Sequence, residues 1–181
     1  MNTTNENNIP VKLYIKSIVS DLMLAEMINT AGENATIFDE VQGKNIPISE
    51  LSGQVEDVIE YTTEGALTKE DNRITVRYGE STEMGFDNTE TMLSFDCDAP
   101  QIVTLVRTGD VSTVCRFDTN EPRQHCTYET GVMPLELTMN TRSVQNSIVN
   151  NSGKISLDYT IEMRGVKTER NRFSMEVTPI Q

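Results

Sequence analysis

The stretch QIVTLVRTGDVSTVCRF, residues 101–117, decides the fold. In an extended chain successive side chains point to opposite faces, so Val103, Leu105 and Arg107 share one face. Thr108-Gly109-Asp110 reads as a turn, and Val111, Thr113, Cys115 and Phe117 form the matching face of a return strand. The stretch is therefore a hairpin with one apolar face that ends in an arginine. Arg107 has two readings. At a barrel mouth it would take an anionic group through bidentate hydrogen bonds. At the wet end of a hairpin it would pair with a carboxylate such as Asp110 or Glu129, or lay its stem over the core with its head in water.

The same two-residue rhythm runs outward on both sides. Val11, Leu13 and Ile15 alternate with Lys12, Tyr14 and Lys16. Ile59, Tyr61, Thr63 and Gly65 fall in phase, as do Ile74, Val76 and Tyr78, then Leu93, Phe95 and Cys97. After the hairpin come HCTYETG, then Leu135, Leu137 and Met139, then Ile155, Leu157, Tyr159, Ile161 and Met163. GVKTERN reads as a turn, and Phe173, Met175 and Val177 close the chain. Residues 22–54 break the rhythm. Asp21 is placed to cap a short helix over DLMLAEMIN, and the rest carries Gly and Pro punctuation without a sustained period. The prediction is an all-β fold: a mainly antiparallel barrel of about 8–10 strands, with 22–54 as a partly helical insertion. A closed barrel is preferred to an open sandwich because closure removes exposed edges. Residues 1–9, polar and Asn-rich, read as a disordered tail, and 10–181 as a single domain.

Charge narrows the function. Fifteen Lys and Arg against 28 Asp and Glu give a net charge of -13, which repels phosphate backbones and anionic lipid heads. With no Trp and 6% aromatic residues, few platforms remain for stacking bases. Neither nucleic acid nor membrane is an expected partner. No apolar run is long enough to span a bilayer, and MNTTNENNIP lacks the features of a secretory signal. Cys97, Cys115 and Cys126 are odd in number and irregular in spacing, so they read as reduced thiols of a cytoplasmic protein rather than a disulfide framework.

Several segments together resemble the YwiB-like family of uncharacterised bacterial proteins. EYTTEGAL (60–67) is similar to that family's strand ending in Thr-x-Gly, and VRTGD (106–110) to its Arg-x-Gly hairpin. YETGVMPLELTMNT (128–141), GKISLDYTIEM (153–163) and NRFSMEV (171–177) are similar to its later strands. The resemblance covers residues 55–181 and the strand at 11–18, and 22–54 is longer than it leads one to expect. It implies a calycin-like, lipocalin-like barrel in a bacterial cytosol, and it brings no activity.

The chemistry is sparse. His125 is the sole histidine, and its neighbour Cys126 points to the opposite face of a strand, so the two cannot readily share a metal ion. No metal, cofactor or phosphate loop is expected. Cys115 and His125 lie on two arms of one hairpin, but Cys115 falls in line with Phe117 and reads as a buried thiol. Tyr78, Tyr128 and Tyr159 are candidates beside Arg107 and His125 for lining a binding site, with Tyr78 and Tyr159 on apolar faces and their hydroxyls near a rim. Three functions follow from this. The barrel binds a small anionic or amphipathic molecule. Or it is solid, and its acidic surface or the 22–54 insertion docks a basic protein. Or its mouth carries a hydrolase or isomerase that uses His125. No catalytic residue is assigned, and the sequence leaves the oligomeric state open.

Overall fold

The computed structural model describes residues 8–32, 34–80, 82 and 88–180. Ten strands close into one antiparallel barrel. They are β1 (Asn8–Asp21), β4 (Glu56–Glu70), β5 (Arg73–Gly79), β6 (Thr89–Asp96), β7 (Ala99–Gly109), β8 (Val111–Phe117), β9 (Arg123–Thr130), β10 (Leu135–Asn146), β11 (Gly153–Met163) and β12 (Val166–Pro179). From β4 to β12 every strand pairs with its successor, and β1 closes the ring between β12 and β4. Most of the tail expected at 1–9 lies outside the described residues, but Asn8 and Ile9 already belong to β1.

The insertion stands outside the wall. It holds helix α1 (Leu22–Thr30), a small hairpin of β2 (Thr36–Asp39) and β3 (Lys44–Pro47), and a 3-10 turn over Ile48–Gln54. Asp21 caps α1 as its position suggests, its Oδ1 accepting from the Leu24 amide at 2.8 Å. The insertion does not interrupt the first seam, because β1 pairs directly with β4 from Asn8↔Thr68 to Ser20↔Glu56. Gly65 makes that seam possible. A Cβ there would lie 2.5 Å from the Arg77 carbonyl oxygen and 2.9 Å from Leu13 Cδ1, so only glycine lets β4 curve over β5.

Alternation fixes which side chains fill the interior. Val11, Leu13, Leu67, Val76, Leu93 and Ile155 are fully buried, with Phe117 and Val177 nearly so. These residues sit toward the end where β1 begins and β12 finishes, and they close that end with buried apolar side chains. Two expectations change. Cys97 is exposed in the turn after β6 rather than in phase with Phe95. The segment read as a turn over GVKTERN is mostly strand, because the turn needs only Arg164 and Gly165, both with positive φ (52° and 81°). Two such residues make a tight connection whose twist matches the flanking strands. β12 therefore starts at Val166 and carries Glu169 and Asn171 in the barrel wall.

Candidate functional site

One layer of side chains crosses the interior near the other end. Pairing places Tyr78 opposite Thr91, Thr91 opposite Arg107, and Arg107 opposite Thr113. Arg107 points inward, as its phase requires, with a side chain 11% exposed. Its partner is neither Asp110 nor Glu129. Glu129 is exposed, and Asp110 accepts from Asn88 Nδ2 at 3.1 Å. The partner is Glu80, 1% exposed, whose Oε1 lies 3.3 Å from Arg107 Nε. Thr91 donates its hydroxyl to the same Oε1 at 2.6 Å, Tyr78 donates to it at 3.4 Å, and Tyr61 donates to Oε2 at 3.0 Å. Arg107 Nη1 donates to the Tyr128 hydroxyl at 3.2 Å. A buried carboxylate is thus held by one guanidinium and three hydroxyls, the kind of full satisfaction a buried charge requires.

The electrostatics follow from burial. Desolvation first, then the Glu80 charge, lifts the Tyr61 and Tyr78 hydroxyls well above the ordinary phenol range, so both remain donors. Desolvation lifts Tyr128 to about 12, with the Arg107 charge working the other way. It lifts Tyr159 further, aided by the neighbouring Tyr128. The pair Cys115 and Cys126 splits: Cys126 steadies the Cys115 thiolate and brings it down to about 7, while Cys126 itself is pushed up.

Beside this layer lies a cavity of about 400 Å³. Leu105, Leu137, Leu157, Ile161 and Phe173 give it an apolar wall, and Arg107, Tyr128, Tyr159, Asn171, Ser17 and Glu169 supply the polar groups. Two of its rim residues, Leu135 and Met163, are 37% and 40% exposed, so the cavity meets solvent at this end. Tyr159 packs against Phe117 in a tilted contact, with ring centroids 4.9 Å apart and ring planes at 53°. The structure brings Arg107, Tyr128 and Tyr159 together on this cavity and puts Tyr78 behind them, bonded to Glu80 and only 3% exposed.

His125 is not part of it. The residue is exposed, with Nδ1 3.0 Å from Thr138 Oγ1, because the phase that turns Cys126 and Tyr128 inward turns His125 outward. Its candidacy for the cavity is withdrawn on that geometry, and Cys115 meets Cys126 rather than His125. Sequence reasoning missed Tyr61, Glu80 and Thr91 of the buried cluster and Ser17, Glu169 and Asn171 of the cavity. Glu80 continues the inward phase of Ile74, Val76 and Tyr78 one step beyond β5, and a carboxylate in an apolar phase was the available signal. Asn171 was hidden by the reading of its segment as a turn.

A family model described as a domain of unknown function (DUF1934) matches residues 45–175. The chain belongs to the DUF1934 family. The match takes in β3 and the 3-10 turn as well as the barrel strands from β4 into β12. Among solved structures, the crystal structure of the ywiB protein from Bacillus subtilis is similar at a TM-score of 0.66 and 19% identity, over 96% of this chain and 94% of that one. That likeness extends the shared fold over the insertion and the first strand. No curated protein matches the chain. No helix among the described residues is long and apolar enough to cross a membrane.

Proposed function

We propose that the barrel is a non-enzymatic binding module that takes a small amphipathic molecule into its half-hollow interior. The observation that carries this reading is the 400 Å³ cavity, which joins an apolar wall to a few polar groups and reaches solvent past Leu135 and Met163. Binding sites for small molecules have this size and this mixture of lining. The catalytic reading rests on His125 as its base, and His125 lies on the outside of the wall. A solid barrel that acts only through its surface does not account for the void. Nor does Arg107 call for an anion, since Glu80 already lies against it.

The test is titration with the uncharged fluorophore N-phenyl-1-naphthylamine. Saturable enhancement is expected, and Leu137→Trp, which fills the cavity, should abolish it while the variant's circular dichroism and melting profile stay close to the parent's. Absence of saturable binding to the parent protein would overturn the reading, as would unaltered binding by a folded Leu137→Trp variant.

A further inference from the structure

We infer that the cavity selects an amphipath whose polar head is uncharged and forms hydrogen bonds, a carboxamide or an alcohol rather than a carboxylate or an ammonium group. This rests on the binding reading above and specifies its ligand. The first ground is charge. The cation on the wall, Arg107, is matched by Glu80, and that carboxylate is enclosed by Tyr61, Tyr78 and Thr91. The cavity also carries Glu169, half-buried in its lining and opposite Asp21 on β1. A carboxylate ligand would enter a site whose positive charge is already neutralised and meet a second acid there. An ammonium head would have to shed its water in a mostly apolar cavity, and Glu169, only half-buried, offsets little of that cost.

The second ground is a set of unmet hydrogen bonds on the opposite wall. Asn171 is 7% exposed, lines the cavity, and its Nδ2 has no partner among the described residues. Across β11 and β12 it faces Tyr159, which also lines the cavity and whose hydroxyl bonds to no described residue. A buried amide in a folded protein is nearly always paired, and the Asn171 Nδ2 left over needs an explanation, while the half-buried Tyr159 hydroxyl lines the same cavity. A ligand that brings both an acceptor and a donor would answer both groups. An amide or alcohol head does this without bringing charge, and its alkyl body would lie along Leu137, Leu157, Ile161 and Phe173.

The experiment compares decanamide, decanoate and decylamine by displacement of N-phenyl-1-naphthylamine at about pH 8, where both charged heads are ionised. Decanamide should bind at least about tenfold more tightly than either charged analogue, the size of effect one good hydrogen bond supplies. Asn171→Leu and Tyr159→Phe should each remove most of that preference, read as the ratio of decanamide to decanoate affinity within each variant after its own fluorophore affinity has been measured. Both substitutions delete an unpaired polar group, so folding is not expected to suffer. If decanoate or decylamine binds as well as decanamide, or if both variants keep the preference, the inference is overturned and the binding module stands. If the fluorophore does not bind either, the module itself fails.

Discussion

Replacing Glu80 by Gln keeps the shape of the buried cluster and removes its negative charge. Arg107 is then a guanidinium 11% exposed that has lost the Glu80 charge. At 3.3 Å and an effective dielectric of about 20, the lost attraction is on the order of 5 kcal/mol. The desolvation already spent on both charges makes the intact pair worth far less in net terms, whereas breaking it from one side costs about 3–5 kcal/mol. Glu80→Gln should therefore destabilise the protein by about 3 kcal/mol. Arg107→Met should cost about 2–3 kcal/mol, somewhat less, because Tyr61, Tyr78 and Thr91 still donate to the stranded carboxylate. The double variant removes both charges and should lose only about 1–2 kcal/mol, well short of the sum. Urea unfolding reads this directly: with a slope of about 2–3 kcal/mol per molar, each single change moves the midpoint by about 0.7–1.5 M. Singles that each cost under about 1 kcal/mol, or a double variant equal to their sum, would refute the claim that this is a buried and mutually dependent pair. The same variant bears on binding. In Glu80→Gln the guanidinium has lost the Glu80 charge, so decanoate should gain affinity relative to the parent protein while decanamide changes little.

Gly65→Ala forces a Cβ to within 2.5 Å of the Arg77 carbonyl, so the seam must shift, and a loss of about 3 kcal/mol or an insoluble product is expected in a thermal melt. In a Cys97→Ser background, ultraviolet thiolate absorbance should rise with a midpoint near the value of about 7 held by Cys115, and Cys126→Ala, which removes the thiol that steadies it, should move that midpoint upward. The Arg170 guanidinium holds the Asp158 carboxyl below its ordinary range through contacts of 3.0 and 2.7 Å. Its stabilising contribution is therefore complete above the unfolded value of about 3.9 and disappears as pH falls through the lower folded value. Asp158→Asn should flatten the acid limb of a plot of urea midpoint against pH, below about pH 4.

The fold was legible because one physical signal repeats. Inward residues on β1, β5, β7, β8 and β11 follow a strict two-residue phase, and burial keeps to it from Val11 to Ile15 and from Ile74 to Tyr78. The same phase sent Arg107 inward. It could not name Glu80 as the partner, because that contact joins residues 27 positions apart across β6, and pairing register is a property of the closed sheet. Asn171 illustrates the other limit. Lys, Thr, Glu, Arg and Asn in a row carry turn and surface composition, and only the positive-φ pair Arg164–Gly165 shows that the chain has already reversed before them. Tertiary pairing then makes a strand out of residues with little strand propensity of their own.

The two walls of the barrel explain each other. On the wall from β4 to β9 every strong polar group named here has a partner: Glu80 with Arg107, Tyr61, Tyr78 and Thr91, and Arg107 with Tyr128. That wall can be buried without help. On the wall formed by β11 and β12, Tyr159 and Asn171 line the same space, and neither the Tyr159 hydroxyl nor Asn171 Nδ2 is bonded to a described residue. Ten strands give a barrel too wide for its inward side chains to meet at the mouth, whereas aromatic and branched residues fill the far end. A void bounded by one satisfied wall and one unsatisfied wall has a direction. A guest should lie against β11 and β12 with its head toward Asn171, and the Arg107–Glu80 pair should serve as a rigid, neutral back. Substitutions on β12 should therefore change which head is accepted, and substitutions in the Glu80 cluster should change stability first.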